Sequence, residues 1–370
     1  MTRILLLLLA ATAGADPTPA IEVFKVGDFG TYPSIRIPAL LCTQKGTLIA
    51  IAEARDGHKD QAGNDLLVST SPDNGKTWSK AALAYEQGKD SLNNPCIVQD
   101  AKSGTVFLFY QVFPAGTREG GKGLGVGPKG RHRICLVTSN DDGRSWSKPV
   151  DVTEQIKPDD AITTASGPGI GIQLRTGKHA GRLVIPFNSI NAAKVFVNWV
   201  AYSDDGGKSW KHGAEVPEGD LRLNEVQVAE TSDGGLYLNS RQMAGTGGRK
   251  VAWSKDGGET WTQAIEDKNL PEPVCQGSVL TLEPGKPRLL FLNPQGNPPG
   301  SRGRKDGVIR LSLDDGKTWA KSRLLVPGPF AYSSMALMKD GRVGILFEKS
   351  DTSAAVFFLT VDVPWVEKGE

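Results

Sequence analysis

Cysteine, histidine and net charge are all scarce in this chain of 370 residues. Its four cysteines, Cys42, Cys96, Cys135 and Cys275, stand far apart with no C-x-x-C pair. That spacing excludes a small disulfide-stapled scaffold and a cysteine zinc site, and buried free thiols are the expectation. The four histidines, His58, His132, His179 and His212, are scattered without metal-ligand spacing, so neither a metal nor a cofactor is expected. Forty-three basic against 41 acidic side chains leave a formal charge of +2, without the strongly basic face that nucleic-acid binding requires. No helical period of convincing length is present; "DVTEQI", from Asp151 to Ile156, is one turn at most. A G-x-S-x-G nucleophile elbow is also missing, which disfavours a Ser/His/Asp hydrolase.

Long apolar runs are missing too. A membrane-crossing helix needs about 20 apolar residues, and nothing after the N-terminus approaches that. The opening "MTRILLLLLAATAGA" has the three regions of an export signal: basic Arg3, a short leucine run and the small-residue ending Ala13-Gly14-Ala15. A cleaved signal over residues 1–15 is expected, with an N-terminal anchor as the lesser alternative. The remainder, 16–370, is read as a single domain, secreted or periplasmic, without stable membrane insertion.

What the chain does have is turns and a repeat. Forty-four glycines and 23 prolines suit an all-β protein. "SPDNGKTW" at Ser71 returns as "SNDDGRSW" at Ser139, "SDDGGKSW" at Ser203, "SKDGGETW" at Ser254 and "SLDDGKTW" at Ser312. The intervals are 68, 64, 51 and 58 residues, a period of about 60 that fits one propeller blade of four antiparallel strands per repeat. A short β-prone run such as "NDLLVST" or "RICLVTS" precedes each copy, placing the octapeptide at a hairpin. Asp accepts hydrogen bonds from nearby amides there and Gly supplies a positive φ. The Trp is expected to open the next strand. Asp73, Asp141, Asp205, Asp256 and Asp314 are therefore read as structural. Dividing the chain by the period yields six blades. The sixth uses "RVGILFE" and "AAVFFLTV" and closes on the N-terminal "IEVFKV", which removes free sheet edges.

Chemistry then belongs to single-copy residues. Arg36 lies between Ile35 and Ile37 in "YPSIRIPAL", an expensive place for a charge unless it meets an anion. Arg241 follows the "GLYLN" strand, and Arg302 and Arg304 precede the fifth repeat in "SRGRKDG". Arginines from three blades converging on one pocket would bind a carboxylate through paired, charge-assisted bonds.

A RIP tripeptide in the first strand followed by several S-x-D-x-G-x-T/S-W boxes resembles the exo-α-sialidases (neuraminidases) of the bacterial and animal type, over essentially the whole mature chain. The resemblance implies an all-β, six-bladed β-propeller of four-stranded antiparallel blades. It makes Arg36, Arg241 and Arg304 the carboxylate-binding arginines, with Arg302 competing for the third place. In "AEARDGHKDQAGNDLLVSTS" it implies Asp60 as general acid/base, ahead of Asp56, and Arg55 at the pocket rim. Glu225, sixteen positions before Arg241, is implied as the catalytic glutamate over Glu230. Tyr332 of "GPFAYSSMALMKDG" becomes the nucleophile, and Glu348 of "GILFEKS" the carboxylate that steadies Arg36. The insertion "REGGKGLGVGPKGRHR" has no counterpart in this pattern.

The implied activity is retaining hydrolysis of terminal sialic acids from glycoconjugates, a sialylated glycan being the partner. A neutral tyrosine suits a substrate whose anomeric carbon bears a carboxylate, because a carboxylate nucleophile would be repelled; sialidases are the tyrosine exception among retaining glycosidases. The alternatives are a trans-sialidase, an intramolecular trans-sialidase and a non-catalytic glycan-binding propeller.

Overall fold

A strand buried on both faces reads as a continuous apolar run rather than an alternating one. The second strands of four of the six sheets in this molecule are buried that way. Leu48–Arg55, Val106–Phe113, Leu289–Pro294 and Val343–Glu348 are buried at every position. Such strands need a neighbouring sheet on each side, and a ring of blades supplies one.

The computed structural model describes residues 14–369 apart from 220, 244 and 246. Residues 1–13, which hold nearly all of the expected export signal, lie outside the described residues. Six antiparallel sheets follow one another along the chain as a six-bladed propeller. Blade 1 comprises Ser34–Cys42, Leu48–Arg55, Asn64–Ser71 and Ala82–Tyr85. Blade 2 runs through Ser91–Gln99, Val106–Phe113, Arg133–Ser139 and Val150–Asp151. Blade 3 uses Ala161–Ser166, Leu183–Asn191, Phe196–Ser203 and Lys211–His212. Blade 4 is built from Leu223–Glu230, Leu236–Gln242, Gly248–Ser254 and Ile265–Pro271. Blade 5 takes Ser278–Thr281, Leu289–Pro294, Lys305–Ser312 and Lys321–Pro329.

Blade 6 has Ser333–Leu337, Val343–Glu348 and Ala355–Val361, and its fourth strand is Ile21–Lys25 from the N-terminus. Ile21 pairs with Phe358 and Lys25 with Ala355, so the two ends of the chain close the ring as expected. Two blades depart from four strands. Gly169–Ile170 adds in parallel to the first strand of blade 2, and Ile172–Gln173 pairs with the second strand of blade 3. The connection between the first and second strands of blade 3 thereby reaches across to blade 2. Its Ile170, with Leu40, Val98, Leu280 and Met335 from several blades, walls a cavity of about 540 Å³.

Register separates the two faces of the ring. In blade 1, Ser34 pairs with Arg55 and Arg55 with Asn64 at one end; Cys42 pairs with Leu48 and Leu48 with Ser71 at the other. The octapeptides follow the third strands, so they sit on the second face. Within each, one aspartate closes the turn. Asp73 Oδ1 accepts from Ser71 Oγ at 2.8 Å and Thr77 N at 2.9 Å, and Oδ2 accepts from Thr77 Oγ1 at 2.6 Å. Asp141, Asp205, Asp256 and Asp314 repeat the pattern.

The tryptophans differ from expectation. Trp78, Trp146, Trp210, Trp261 and Trp319 lie in the turn segment, one to four residues before the fourth strand. They pack across to the preceding blade instead. Trp78 meets Phe358 of blade 6 edge-on at 5.1 Å between centroids, Trp210 meets Phe107 of blade 2 at 5.9 Å, and Trp319 meets Tyr237 of blade 4 at 6.1 Å. The motif therefore fastens blade to blade as well as strand to strand. Glycine is required for the same reason: Gly207 has φ 85°, and a Cβ there would lie 2.2 Å from Phe107 Cζ. Gly207→Ala is expected to destabilise the protein by about 2 kcal/mol or more, from left-handed strain and overpacking together. Urea unfolding measures this, and an unchanged midpoint would refute it.

Candidate active site

The opposite face begins with a break in strand pairing. In blade 1 the register shifts between Arg36 and Ala39, and Ile37 sits at φ 59°. A β-branched residue in the left-handed region costs about 1–3 kcal/mol and persists only where its surroundings hold it. Glu348, at the end of blade 6's second strand, does the holding. Its Oε1 accepts from Ile37 N at 2.6 Å, and its Oε2 accepts from Arg36 Nε at 3.1 Å and Nη2 at 2.8 Å. The charge in the middle of an apolar strand thus has a buried partner from the neighbouring blade.

Blade 2 repeats the device. Asn94, preceding Pro95, has φ 54°, and its N–H donates to Glu53 Oε1 at 2.7 Å. Glu53 Oε2 accepts from Arg55 Nε at 2.8 Å and from Asn64 Nδ2 at 3.2 Å. Arg55 in turn reaches out through Nη1 to Asp60 Oδ1 at 2.8 Å. The carbonyl of Asp60 is tied down by Asn64 Nδ2 at 2.6 Å and Asn93 Nδ2 at 2.7 Å, while its side chain is 73% exposed. A fixed backbone with a free carboxylate suits a group that must meet incoming substrate.

Tyr332 stands immediately before the first strand of blade 6, 5% exposed. Its hydroxyl donates to Glu225 Oε1 and accepts from Arg241 Nη1 at 2.9 Å. Arg241 Nη1 also bonds Glu225 Oε2 at 2.6 Å. Burial first, then the Glu225 carboxylate, hold the phenol well above its ordinary pKa, with Arg241 and Arg304 opposing. The phenol is therefore protonated at rest, with its proton directed at a carboxylate. The Arg36 and Arg304 guanidiniums lie 5.1 and 5.4 Å from the ring centroid, within cation–π range.

Three guanidiniums thus surround one phenol, and they are not all satisfied. Arg304 donates through Nη2 to Val274 O at 3.2 Å, and among the described residues no carboxylate lies within ion-pair range of it. Arg241 Nε is buried without an acceptor among the described residues. Spare cationic donors around a neutral phenol make a site for an anion.

The structure brings Arg36, Arg241, Arg304, Glu225, Tyr332 and Glu348 together, with Arg55 at the end of blade 1's second strand and Asp60 on the loop that follows it. It also separates the competitors. Arg302 is exposed, whereas Arg304 is half-buried and stands over the Tyr332 ring. Glu230 lies at the other end of Glu225's strand, accepting from Arg175 N at 2.9 Å and Thr176 N at 2.7 Å. Asp60 rather than Asp56 carries the bond to Arg55. The four cysteines are unpaired; Cys96, Cys135 and Cys275 are buried and Cys42 half-buried.

Sequence reading overlooked two carboxylates. Glu53 carried the same signal as Arg36, a charge inside the apolar run "LIAIAEAR", and was passed over. Glu119 belongs to the insertion that had no counterpart. Its N–H reaches Gln61 Oε1 at 3.5 Å, and Lys194 Nζ donates to Gly120 O at 3.1 Å, so the loop bridges blades 1 and 3. The Glu119 side chain is open to solvent at its surface yet hemmed in by the loops of this face. Lost hydration, then Glu225 and Asp60, push it up to about 7, against Arg241.

A six-bladed ring with aspartate-closed turns on one face and a tyrosine–glutamate–arginine centre on the other defines a sialidase-type propeller. Residues 46–345 match a family model described as a BNR repeat-like domain. The chain is 34% identical over 372 residues to the sialidase of Micromonospora viridifaciens, covering 92% of this chain and 56% of that protein. It is 30% identical to the exo-alpha-sialidase of Aspergillus fumigatus, covering 91% of this chain and 86% of the fungal protein. The solved Hadza microbial sialidase Hz136 superposes with a TM-score of 0.82 at 30% identity, over 94% of this chain and 69% of that one. The chain belongs to the sialidase family, and it spans little more than half the length of the Micromonospora relative.

The Glu119 shift has a sign that can be tested. An acid with a raised folded pKa binds more protons folded than unfolded, so it lowers stability as pH climbs from about 4.3 toward about 7. Replacing Glu119 with Gln removes that contribution. The melting temperature of the variant is expected to decline less than the wild type's across this window. Parallel declines in a pH series of thermal melts would contradict the assignment.

Proposed function

We propose that this protein is a retaining exo-α-sialidase that hydrolyses terminal sialic acids from glycoconjugates. The observation that carries the reading is the Tyr332 hydroxyl shared between Glu225 and Arg241, with Arg36 and Arg304 over the ring. Family membership supports it.

In this reading the sialic acid carboxylate binds Arg36, Arg241 and Arg304, each charge-assisted bond contributing about 1.5–3 kcal/mol. Arg36 is already oriented by Glu348, so little order is lost when substrate arrives. Tyr332 Oη attacks the anomeric carbon while its proton passes to Glu225, an activated-nucleophile pair. As the glycosidic bond breaks, Asp60 protonates the departing oxygen. The ionised Asp60 then takes a proton from water, whose oxygen attacks the anomeric carbon and displaces Tyr332; Glu225 returns the proton to the phenolate. Two inversions amount to retention. The exposure of Asp60 allows it to serve both leaving group and water, and its bond to Arg55 keeps it in place.

Tyr332→Phe is expected to lower turnover of an aryl sialoside by about 100-fold or more, the scale on which a positioned proton-transfer group acts. Near-wild-type turnover would sink the nucleophile assignment. Asp60→Ala is expected to cost far more on a sialyl-oligosaccharide, whose leaving group needs a proton, than on an activated aryl sialoside. Equal losses on the two substrates would count against the acid/base role. Proton NMR of early product completes the test of outcome: α-configured free sialic acid is expected, whereas an anhydro sugar or a transferred residue would overturn hydrolysis.

A further inference from the structure

Two arginine-bearing elements of this site share one construction. At Ile37 and at Asn94 a residue at positive φ gives its N–H to a buried glutamate, and that glutamate also holds a guanidinium. A third instance lies under Arg304. Val274 has φ 58°, and the next amide, Cys275 N, donates to Glu272 Oε1 at 2.6 Å. Glu272 Oε2 receives Arg249 Nη1, and both side chains are fully buried. Arg249 further donates from Nη1 to Cys275 O at 2.7 Å and from Nε to Asn239 Oδ1 at 2.6 Å.

The segment gripped this way touches the site at two points. Val274 O is the acceptor for Arg304 Nη2 at 3.2 Å. Gln276 forms a two-point clasp with Ser333, the residue after Tyr332: Nε2 donates to Ser333 O at 2.9 Å, and Oε1 accepts from Ser333 N at 3.0 Å. The Cys275 side chain packs in one buried cluster with Ile37, Ala331 and Tyr332.

We propose that Glu272 and Arg249, which do not touch the pocket, are positioning residues that brace the 272–276 segment so that Val274 O sets the direction of Arg304 and Gln276 seats Tyr332. The buried pair does for Arg304 what Glu348 does for Arg36, with a backbone carbonyl in place of a direct carboxylate contact. A direct carboxylate would neutralise Arg304, and a carbonyl orients the guanidinium while leaving its charge for substrate. The inference rests on the sialidase reading for what Arg304 binds, but not for how it is held.

Glu272→Gln keeps an acceptor for Cys275 N and breaks the pair with Arg249. KM for an aryl sialoside is expected to rise about tenfold with kcat changed less than about threefold, the scale of one charge-assisted bond to the substrate. A double-mutant cycle shows whether the effect passes through Arg304: in an Arg304→Lys background, Glu272→Gln is expected to leave KM nearly unchanged. Independent, multiplying effects, or an unchanged KM in the single variant, would overturn the proposal. Should Glu272→Gln fail to fold, Val274→Gly frees the segment without touching the buried pair and is expected to raise KM in the same direction. Crystal structures of the wild type and of whichever variant folds give a readout independent of activity. Loss of the Arg304–Val274 contact in the variant supports the proposal, and its retention refutes it. An inactive wild type would sink the sialidase reading while leaving this structural comparison to decide the bracing role.

Discussion

Everything on the functional face depends on buried or half-buried glutamates that are each shared between a guanidinium and a neighbouring group held in place. Glu348 serves Arg36 and the Ile37 amide, Glu53 serves Arg55 and the Asn94 amide, and Glu225 serves Arg241 and the Tyr332 hydroxyl. Removing such charges from water is costly, and they are tolerable only because each carboxylate has several partners at good geometry. That same cost makes the arrangement rigid, since no side chain can leave without stranding another. Strained backbone at Ile37 and Asn94 is stabilised by those bonds.

Rigidity on this face relies on work done on the other. The octapeptide turns tie third strand to fourth through their aspartates, and blade to preceding blade through glycine and tryptophan. Sidedness follows from strand direction. Turns after third strands lie opposite the ends of second strands, so the repeated scaffold never competes for space with the pocket. The loops of the pocket face are thereby free to vary, and the insertion carrying Glu119 uses that freedom by spanning blades 1 and 3.

Tyrosine at the centre follows from charge. In the proposed reaction three arginines gather for an anionic sugar, so an ionised nucleophile would be held by the guanidiniums and would repel the substrate carboxylate. Tyr332 stays neutral because it is buried beside Glu225, and in the proposed mechanism the same Glu225 takes its proton as it attacks. Burial and a single neighbour account for both properties.

The ring, its blade count and its closure were legible in the sequence because their signals are short-range. An Asp-x-Gly turn, a strand before it and a period near 60 residues each depend on contacts within one hairpin. Arg36 was legible as a charge in an apolar run, and Arg241, Arg304, Glu225, Tyr332, Asp60 and Glu348 through motifs similar to a known family. The packing of tryptophan onto the preceding blade was not, because it depends on which sheet lies alongside. Glu53 was legible in the same way as Arg36 and was passed over, whereas Glu119 and Glu272 escaped for a related reason: their meaning lies in partners that local sequence does not reveal, such as Asp60 and Glu225 on other blades for Glu119. Local chemistry alone determined that this chain makes six similar blades and turns them with aspartate. Only the tertiary structure decided which charges share a buried partner, because residues as distant as Arg36 and Glu348 meet only once the ring has closed.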